Sequence, residues 1–166
     1  MDNDTKEGSA CPEIGDVAPD FVLPGSNEED IHLLELLDSQ VVLVFFTDTF
    51  SIFSTGQADY FHRLHESMSN LGVVFIGIAT EPMSTLMTFI EAQDIPFLMA
   101  SDFDRKVSKL YGVYADEVGS LRCVAKPSII IVDTDGKIDY FWIGDPEDSL
   151  PKIEDITERI IKSKSD

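Results

Sequence analysis

The 166-residue sequence predicts an α/β fold in which helices cover both faces of a mixed central sheet. Uninterrupted apolar runs at residues 41–46 and 73–79 have the length of strands that are covered on both faces. Each run is followed by a segment with the apolar spacing of an amphipathic helix. An Asp-Gly pair at residues 135–136 lies between two further apolar runs and predicts a hairpin, which adds antiparallel strands to the sheet.

Strands and helices alternate in the first half of the chain. Residues 51–71 carry apolar side chains at helical spacing, and Gly72 marks the end of this helix. Pro82 begins a second helix, because proline is favoured at the first helical position. Right-handed crossovers are expected to make the two strands parallel. One face of the second helix is assigned to the core, with Met83, Leu86, Met87 and Ile90 on it.

The second half of the chain completes the sheet. A short helix is predicted over residues 104–111, followed by a buried strand over residues 129–132 and its hairpin partner over residues 138–143. The closing helix covers residues 151–162 and directs three isoleucines inward, Ile153, Ile156 and Ile160. This order of elements predicts a thioredoxin-like, three-layer α/β/α architecture.

The chain is expected to form one domain over residues 13–166, preceded by a flexible leader at residues 1–12. The leader is polar and lacks the basic and apolar regions of a signal peptide. No apolar run approaches the roughly 20 residues that a membrane-spanning helix needs. The expectation is therefore a cytoplasmic protein that does not enter a membrane.

The charge is strongly unbalanced, with 12 basic and 31 acidic residues and a net charge of −19. Such a chain repels phosphate backbones and lacks the cations that nucleic-acid binding requires, so neither nucleic acid nor an anionic membrane is an expected partner. The charge indicates a highly soluble surface, and steering of a basic partner protein is the less favoured alternative.

Several segments resemble one family in the order in which that family has them. Residues 15–23 read GDVAPDFVL, and further matches lie at Phe97-Leu98 with Ser101-Asp102, at Tyr111-Gly112-Val113, at residues 132–136 and at Tyr140-Phe141-Trp142. In these motifs the chain resembles the peroxiredoxins, the superfamily of alkyl hydroperoxide reductase and thiol-specific antioxidant, in its branch related to bacterioferritin comigratory proteins. The resemblance implies a thioredoxin fold, a homodimer and, for active members, peroxide reduction with a thioredoxin-like reductant.

Function in that family depends on a P-x-x-x-T-x-x-C motif and an arginine. In this chain the proline position is Thr47, the threonine position is Ser51, the peroxidatic cysteine position is Ser54 and the arginine position is Pro127. Peroxide reduction needs a thiolate that attacks the O–O bond and becomes a sulfenic acid. A serine hydroxyl stays protonated in the same environment, so the resemblance predicts that peroxidase chemistry at Ser54 is lost.

The resemblance also implies a pocket around these positions. Ser51 could donate its hydroxyl to a ligand oxygen, and Arg122 or Lys126 could supply the missing positive charge. Pro127 resembles the cis-proline of thioredoxin, which predicts a cis peptide bond before it. A ligand oxygen is expected at the N-terminus of the long helix. No cofactor and no metal site are expected.

The candidate serines have a structural alternative. Ser51 and Ser54 lie in the first turn of a helix, where serine is a good capping residue, and this interpretation is favoured over catalysis. A Ser-His-Asp hydrolase is disfavoured because His62 and His65 lie two or three turns beyond Ser54 and no G-x-S-x-G motif is present. The same two histidines lack the partners that a metal site would need.

Two cysteines remain, Cys11 in the leader and Cys123 in the domain. Cys123 lies next to Arg122 and close to Lys126, so it is a candidate redox-active thiol. The favoured alternative is a small residue buried on a strand. A reducing cytosol would leave both thiols free.

Three functional hypotheses follow. The chain is a peroxiredoxin relative that has lost peroxidase activity and serves as a binding or dimerising module. Alternatively, it is an active thiol peroxidase seen with a cysteine-to-serine change at Ser54, although Thr47 and Pro127 then stay unexplained. The third hypothesis is a redox protein that uses Cys123.

Overall fold

The computed structural model describes residues 11–145 and 148–165. Most of the predicted leader therefore lies outside the described residues. The strands are β1 (Val22–Pro24), β2 (Asp30–His32), β3 (Val41–Phe45), β4 (Val74–Ala79), β5 (Leu98–Ser101), β6 (Tyr114–Val118), β7 (Leu121–Ala125), β8 (Ser128–Val132) and β9 (Ile138–Ile143). The helices are α1 (Ile52–Ser67), α2 (Met83–Gln93), α3 (Lys106–Leu110) and α4 (Ile153–Ser165), with a short 3-10 helix at Leu33–Leu36.

The central sheet has five strands in the order β5-β4-β3-β8-β9. β3 and β4 are parallel, as are β4 and β5, whereas β8 is antiparallel to both β3 and β9. The mixed sheet and the hairpin of β8 and β9 confirm the predicted architecture.

Two hydrophobic cores lie on opposite faces of this sheet, because successive residues of β3 point to opposite sides. Val42, Val44 and Phe46 pack with apolar residues of α1, α2 and α4. Val41, Leu43 and Phe45 pack with α3, Tyr111 and the N-terminal strands. The sheet thus forms the middle of three layers.

Two details differ from the sequence predictions. In α2, Met87 is exposed rather than part of the core, and Leu86 and Phe89 fill the interior instead. Residues 114–125 form a further antiparallel hairpin, β6 with β7, which the sequence patterns did not indicate. Its residues are mostly half-buried or exposed, so the alternation of apolar and polar residues is weak.

Within the described part of the chain, no helix is long and apolar enough to cross a membrane.

Candidate functional site at the start of the long helix

The candidate site begins where β3 ends. Thr47 follows this strand and is fully buried, and its backbone N–H donates to Gln57 Oε1 at 3.0 Å. Gln57 Nε2 in turn donates to Thr47 Oγ1 at 3.0 Å, so both ends of the amide are bonded to one residue. We refer to this pair of bonds as the Thr47–Gln57 clamp. It fixes the end of the strand against the second turn of α1.

A carboxylate from the chain itself organises the turn that leads into α1. Asp48 Oδ2 accepts the backbone N–H groups of Phe50 at 3.2 Å and of Ser51 at 2.7 Å. Asp48 Oδ1 accepts the Ser51 hydroxyl at 2.7 Å. Ser51 stands at the N-cap position, but its side chain makes no capping hydrogen bond to the helix. Asp48 therefore fixes the N-cap residue and places a negative charge in the turn before the helix.

Ser54 is closed off from solvent. Its side chain is buried, and its hydroxyl donates to the Ser51 carbonyl oxygen at 2.6 Å. A hydroxyl that is buried and bonded to a backbone carbonyl is not directed at an incoming ligand. Phe50 and Phe53, the aromatic side chains next to Ser51 and Ser54, are exposed.

A second carboxylate, Glu81, lies beside this turn. Glu81 Oε1 accepts the Thr49 backbone N–H at 3.0 Å, and Glu81 Oε2 accepts the Thr49 hydroxyl. Burial is the main cause that raises the pKa of Glu81, the Thr49 bonds oppose it, and the negative charge of Asp48 adds to it. Glu81 follows β4, which is parallel to β3. Adjacent parallel strands end at the same sheet edge, so this neighbourhood could have been predicted from the sequence.

The raised pKa of Glu81 leads to a prediction for Glu81→Gln. A folded-state pKa above the ordinary 4.5 means that the stabilising contribution of this group is present below the unfolded pKa. That contribution is lost as the pH rises through the folded pKa. Glutamine keeps an oxygen for the Thr49 N–H but carries no charge. The melting temperature of the Glu81→Gln variant should therefore not fall as the pH rises through the folded-state pKa of Glu81. Thermal unfolding between about pH 4 and pH 8 measures the difference.

Glu91→Gln is the matched control, because Glu91 is an exposed residue of α2. Its pH profile should run parallel to that of the parent protein. An equally parallel profile for Glu81→Gln would contradict the account of Glu81.

The predicted cations do not reach this site. Arg122 is exposed on β7 and pairs with Glu117 at 3.7 Å. Lys126 pairs with Asp145 at 3.4 Å. Among the described residues, neither cation forms a hydrogen bond or an ion pair with the site residues, Thr47, Ser51 and Ser54.

The prediction of a cis bond before Pro127 was wrong. No described peptide bond is cis. The Pro127 carbonyl accepts the Gly144 N–H at 3.0 Å, and β8 begins at the next residue, where Ser128 pairs with Phe45. Pro127 thus lies at the sheet edge of the candidate site, in the trans form that connects β7 to β8.

Cys123 is exposed, so the favoured prediction of a buried strand residue was wrong, although it does lie on β7. Its backbone has a φ of 56°, and its carbonyl accepts Arg105 Nε at 2.9 Å. The Tyr114 hydroxyl donates to Asp116 Oδ1 at 3.0 Å, and the nearby Cys123 side chain together with Asp116 raises the pKa of Tyr114 to about 12. The Lys109 ammonium lies over the Tyr114 ring in a cation–π contact, with Nζ 4.8 Å from the ring centre.

The remaining candidates are structural. Cys11 is exposed and packs directly on Gly112. The His65 ring contacts Phe75 edge-on at a centroid distance of 5.3 Å, and burial lowers the pKa of His65. Within the described ranges, no three His, Cys, Asp or Glu side chains gather in a way that could hold a metal ion.

The fold and the position of this site, at the strand end that leads into the long helix, define a thioredoxin-fold protein of the peroxiredoxin type. The model of the AhpC/TSA family matches residues 14–141, and the chain belongs to this family. It is a peroxiredoxin of the Bcp branch.

Individual relatives agree with this assignment. The chain is 27% identical to peroxiredoxin Bcp of Escherichia coli over 130 residues, which cover 77% of this chain and 83% of that protein. The crystal structure of peroxidoxin BcpB from Mycobacterium tuberculosis superposes with a TM-score of 0.75 at 25% identity, covering 93% of this chain and 97% of that one. A cysteine-to-serine mutant of Xylella fastidiosa PrxQ has a TM-score of 0.77 at 17% identity over 93% and 98% of the two chains, and it shows the fold alone.

Proposed function

We propose that this peroxiredoxin-family protein has no peroxidase activity at position 54 and acts as a binding or dimerising module. The observation that carries the proposal is the state of Ser54. Its hydroxyl is buried and donates to the Ser51 carbonyl, while two carboxylates, Asp48 and Glu81, surround the turn before it.

The electrostatics of the turn support this proposal. A peroxidatic thiol must ionise. The positive end of a helix dipole or a nearby cation favours the thiolate. Here Asp48 lies in the turn before α1, bonded to the N-cap residue Ser51, and Arg122 and Lys126 are paired with acidic residues elsewhere. A negatively charged environment raises the free energy of any further anion. The site therefore disfavours the thiolate on which peroxide reduction depends.

The test is consumption of hydrogen peroxide by this chain in the presence of a thioredoxin-based reducing system. We expect no turnover above that of a buffer control, because no hydroxyl can replace the thiolate. A variant carrying both Cys11→Ser and Cys123→Ser should behave in the same way. Turnover by the parent chain that survives in this variant would contradict the proposal.

A second candidate uses Cys123 as the reactive thiol. It is supported by the exposure of this thiol and by its position near Tyr114, whose hydroxyl now donates to Asp116. The same assay distinguishes it, since turnover that disappears with Cys123→Ser alone would assign the activity to Cys123. The conservative variant Tyr114→Phe would then lower the rate while leaving the thiol in place.

An active peroxidase seen with serine in place of cysteine is the remaining alternative. The favourable observation is the shared architecture, because Ser54 stands in the first turn of the helix that follows the central strand. The Thr47–Gln57 clamp argues against it, because a proline at position 47 could not form the clamp. Replacement of Ser54 by cysteine decides between the two.

The partner we propose is a second copy of the chain. Phe50 and Ile52, which flank the N-cap residue Ser51 beside the site, are 79% and 84% exposed, and two large apolar side chains so exposed suit a protein contact. Sedimentation equilibrium should give the mass of two chains.

A thioredoxin-like reductant is a partner only if a thiol of this chain turns over. With its net charge of −19, the chain is proposed to be cytoplasmic and to bind no nucleic acid.

A further inference from the structure

A polar cleft of about 510 Å³ lies at the other end of the central sheet. It is bounded by the loop before β3, the turn between β8 and β9 and the last turns of α4. The candidate site lies beyond the opposite end of β3, and five strand residues span about 16 Å. The cleft is therefore separate from the candidate site. We call it the polar cleft.

The cleft has one basic side. Arg159, Lys162 and Lys164 line it, which are three of the 12 basic residues in a chain of net charge −19. Arg159 pairs with Asp139 at 3.0 Å. Within the described ranges, Lys162 and Lys164 form no ion pair, so their charges remain available. Lysines in the last turn of a helix also stabilise it through the helix dipole. That structural role would not place them around a cleft.

The facing side offers hydrogen-bond acceptors. Gln40 is 3% exposed, and its Oε1 has no hydrogen-bond partner. Its amide is held only by a long bond from Nε2 to the Ile160 carbonyl, at 3.4 Å. Asp139 Oδ2 is likewise buried without a partner. The exposed carboxylates of Asp38 and Asp135 line the same cleft. Both side chains line the cleft, and a ligand donor would reach these buried oxygens only after the Gln40 amide or the Asp139 carboxylate turned toward it.

We propose that the polar cleft binds a small zwitterion, an amino acid or short peptide with a free ammonium and a free carboxylate. The ammonium group supplies the donors that Gln40 and Asp139 lack, beside the carboxylates of Asp38 and Asp135. The carboxylate group is bound by Lys162 and Lys164. An uncharged polyol would leave the two lysines without a partner, and a simple anion would leave the acceptors without donors. The volume suits a molecule of two or three residues.

The test uses the dipeptide alanyl-alanine and two capped forms of it, with backbone amide NMR as the readout. One form is acetylated at the amine and the other is amidated at the carboxylate. We expect saturable shifts around residues 38–40, the β8–β9 turn and the end of α4 for the free dipeptide below about 10 mM. Each cap should weaken binding about tenfold or more, since charged hydrogen bonds are the strong ones.

Variants of exposed residues complete the test. The double change Lys162→Gln and Lys164→Gln should weaken binding of the free dipeptide about tenfold and leave the amidated form unaffected. Lys106→Gln is the matched control, because Lys106 is an exposed lysine of α3 away from the cleft. Equal binding of all three peptides, or equal losses with Lys106→Gln, would overturn the proposal. Absence of saturable shifts would do so as well.

Discussion

Thr47→Pro, which introduces the residue that active peroxiredoxins carry here, is expected to destabilise this protein by about 2–5 kcal/mol. Proline has no N–H to donate to Gln57 Oε1 and no hydroxyl to accept from Gln57 Nε2. Both polar ends of a buried amide would lose their partner, at about 1–3 kcal/mol each. Urea unfolding, with the slope checked for two-state behaviour, measures the change.

Two further variants identify the cause. Thr47→Ser keeps both bonds of the Thr47–Gln57 clamp and should cost less than about 1 kcal/mol. Gln57→Leu, made together with Thr47→Pro, removes the unpaired amide and should recover part of the loss. If Thr47→Pro left the stability within about 0.5 kcal/mol of the parent, the clamp would not hold the site in its present form.

The parts of the fold that the sequence predicted are those where burial dominates. β3 and β8 are fully buried, and apart from Ser128 at the start of β8 all their residues are apolar, so an unbroken run of apolar residues was sufficient to identify them. The Asp135-Gly136 pair likewise predicted the turn between β8 and β9, because this dipeptide favours a positive backbone angle.

The parts that were missed depend on tertiary contacts. The hairpin of β6 and β7 has no clear apolar face, so its residues do not alternate in the pattern of a half-buried strand. The peptide bond before Pro127 is trans, whereas the likeness of this short segment to thioredoxin had predicted cis. Cys123 lies at a positive φ in this same hairpin, which no local pattern indicated.

In the candidate site, the sequence identified the positions but not their partners. Ser54 lies in the first turn of α1 as predicted, and Ser51 stands at its N-cap. The residue types alone did not indicate that the Asp48 carboxylate would bind the backbone and hydroxyl of Ser51. With Glu81, Asp48 makes this turn acidic where the resemblance implied a cation.

Ser54→Cys is expected to give a thiol that reacts only slowly with hydrogen peroxide. The new thiol would lie in the first turn of α1, next to the Ser51 carbonyl that now accepts the Ser54 hydroxyl. Asp48 lies in the turn before α1, and a nearby carboxylate raises the pKa of a thiol by about 1 unit or more. Adding Asp48→Asn keeps an oxygen for the Ser51 N–H, removes the charge, and should speed the reaction about tenfold.

The measurement is stopped-flow oxidation by hydrogen peroxide of Ser54→Cys, made in a chain that also carries Cys11→Ser and Cys123→Ser. We predict a rate within about tenfold of that of an unactivated thiol, measured with free cysteine under the same conditions. A rate more than about 100-fold above that reference would show that an activated site survives around position 54. The protein would then lack peroxidase activity only because position 54 carries a serine oxygen in place of a cysteine sulfur. The proposal that it is a module without peroxidase chemistry would be contradicted.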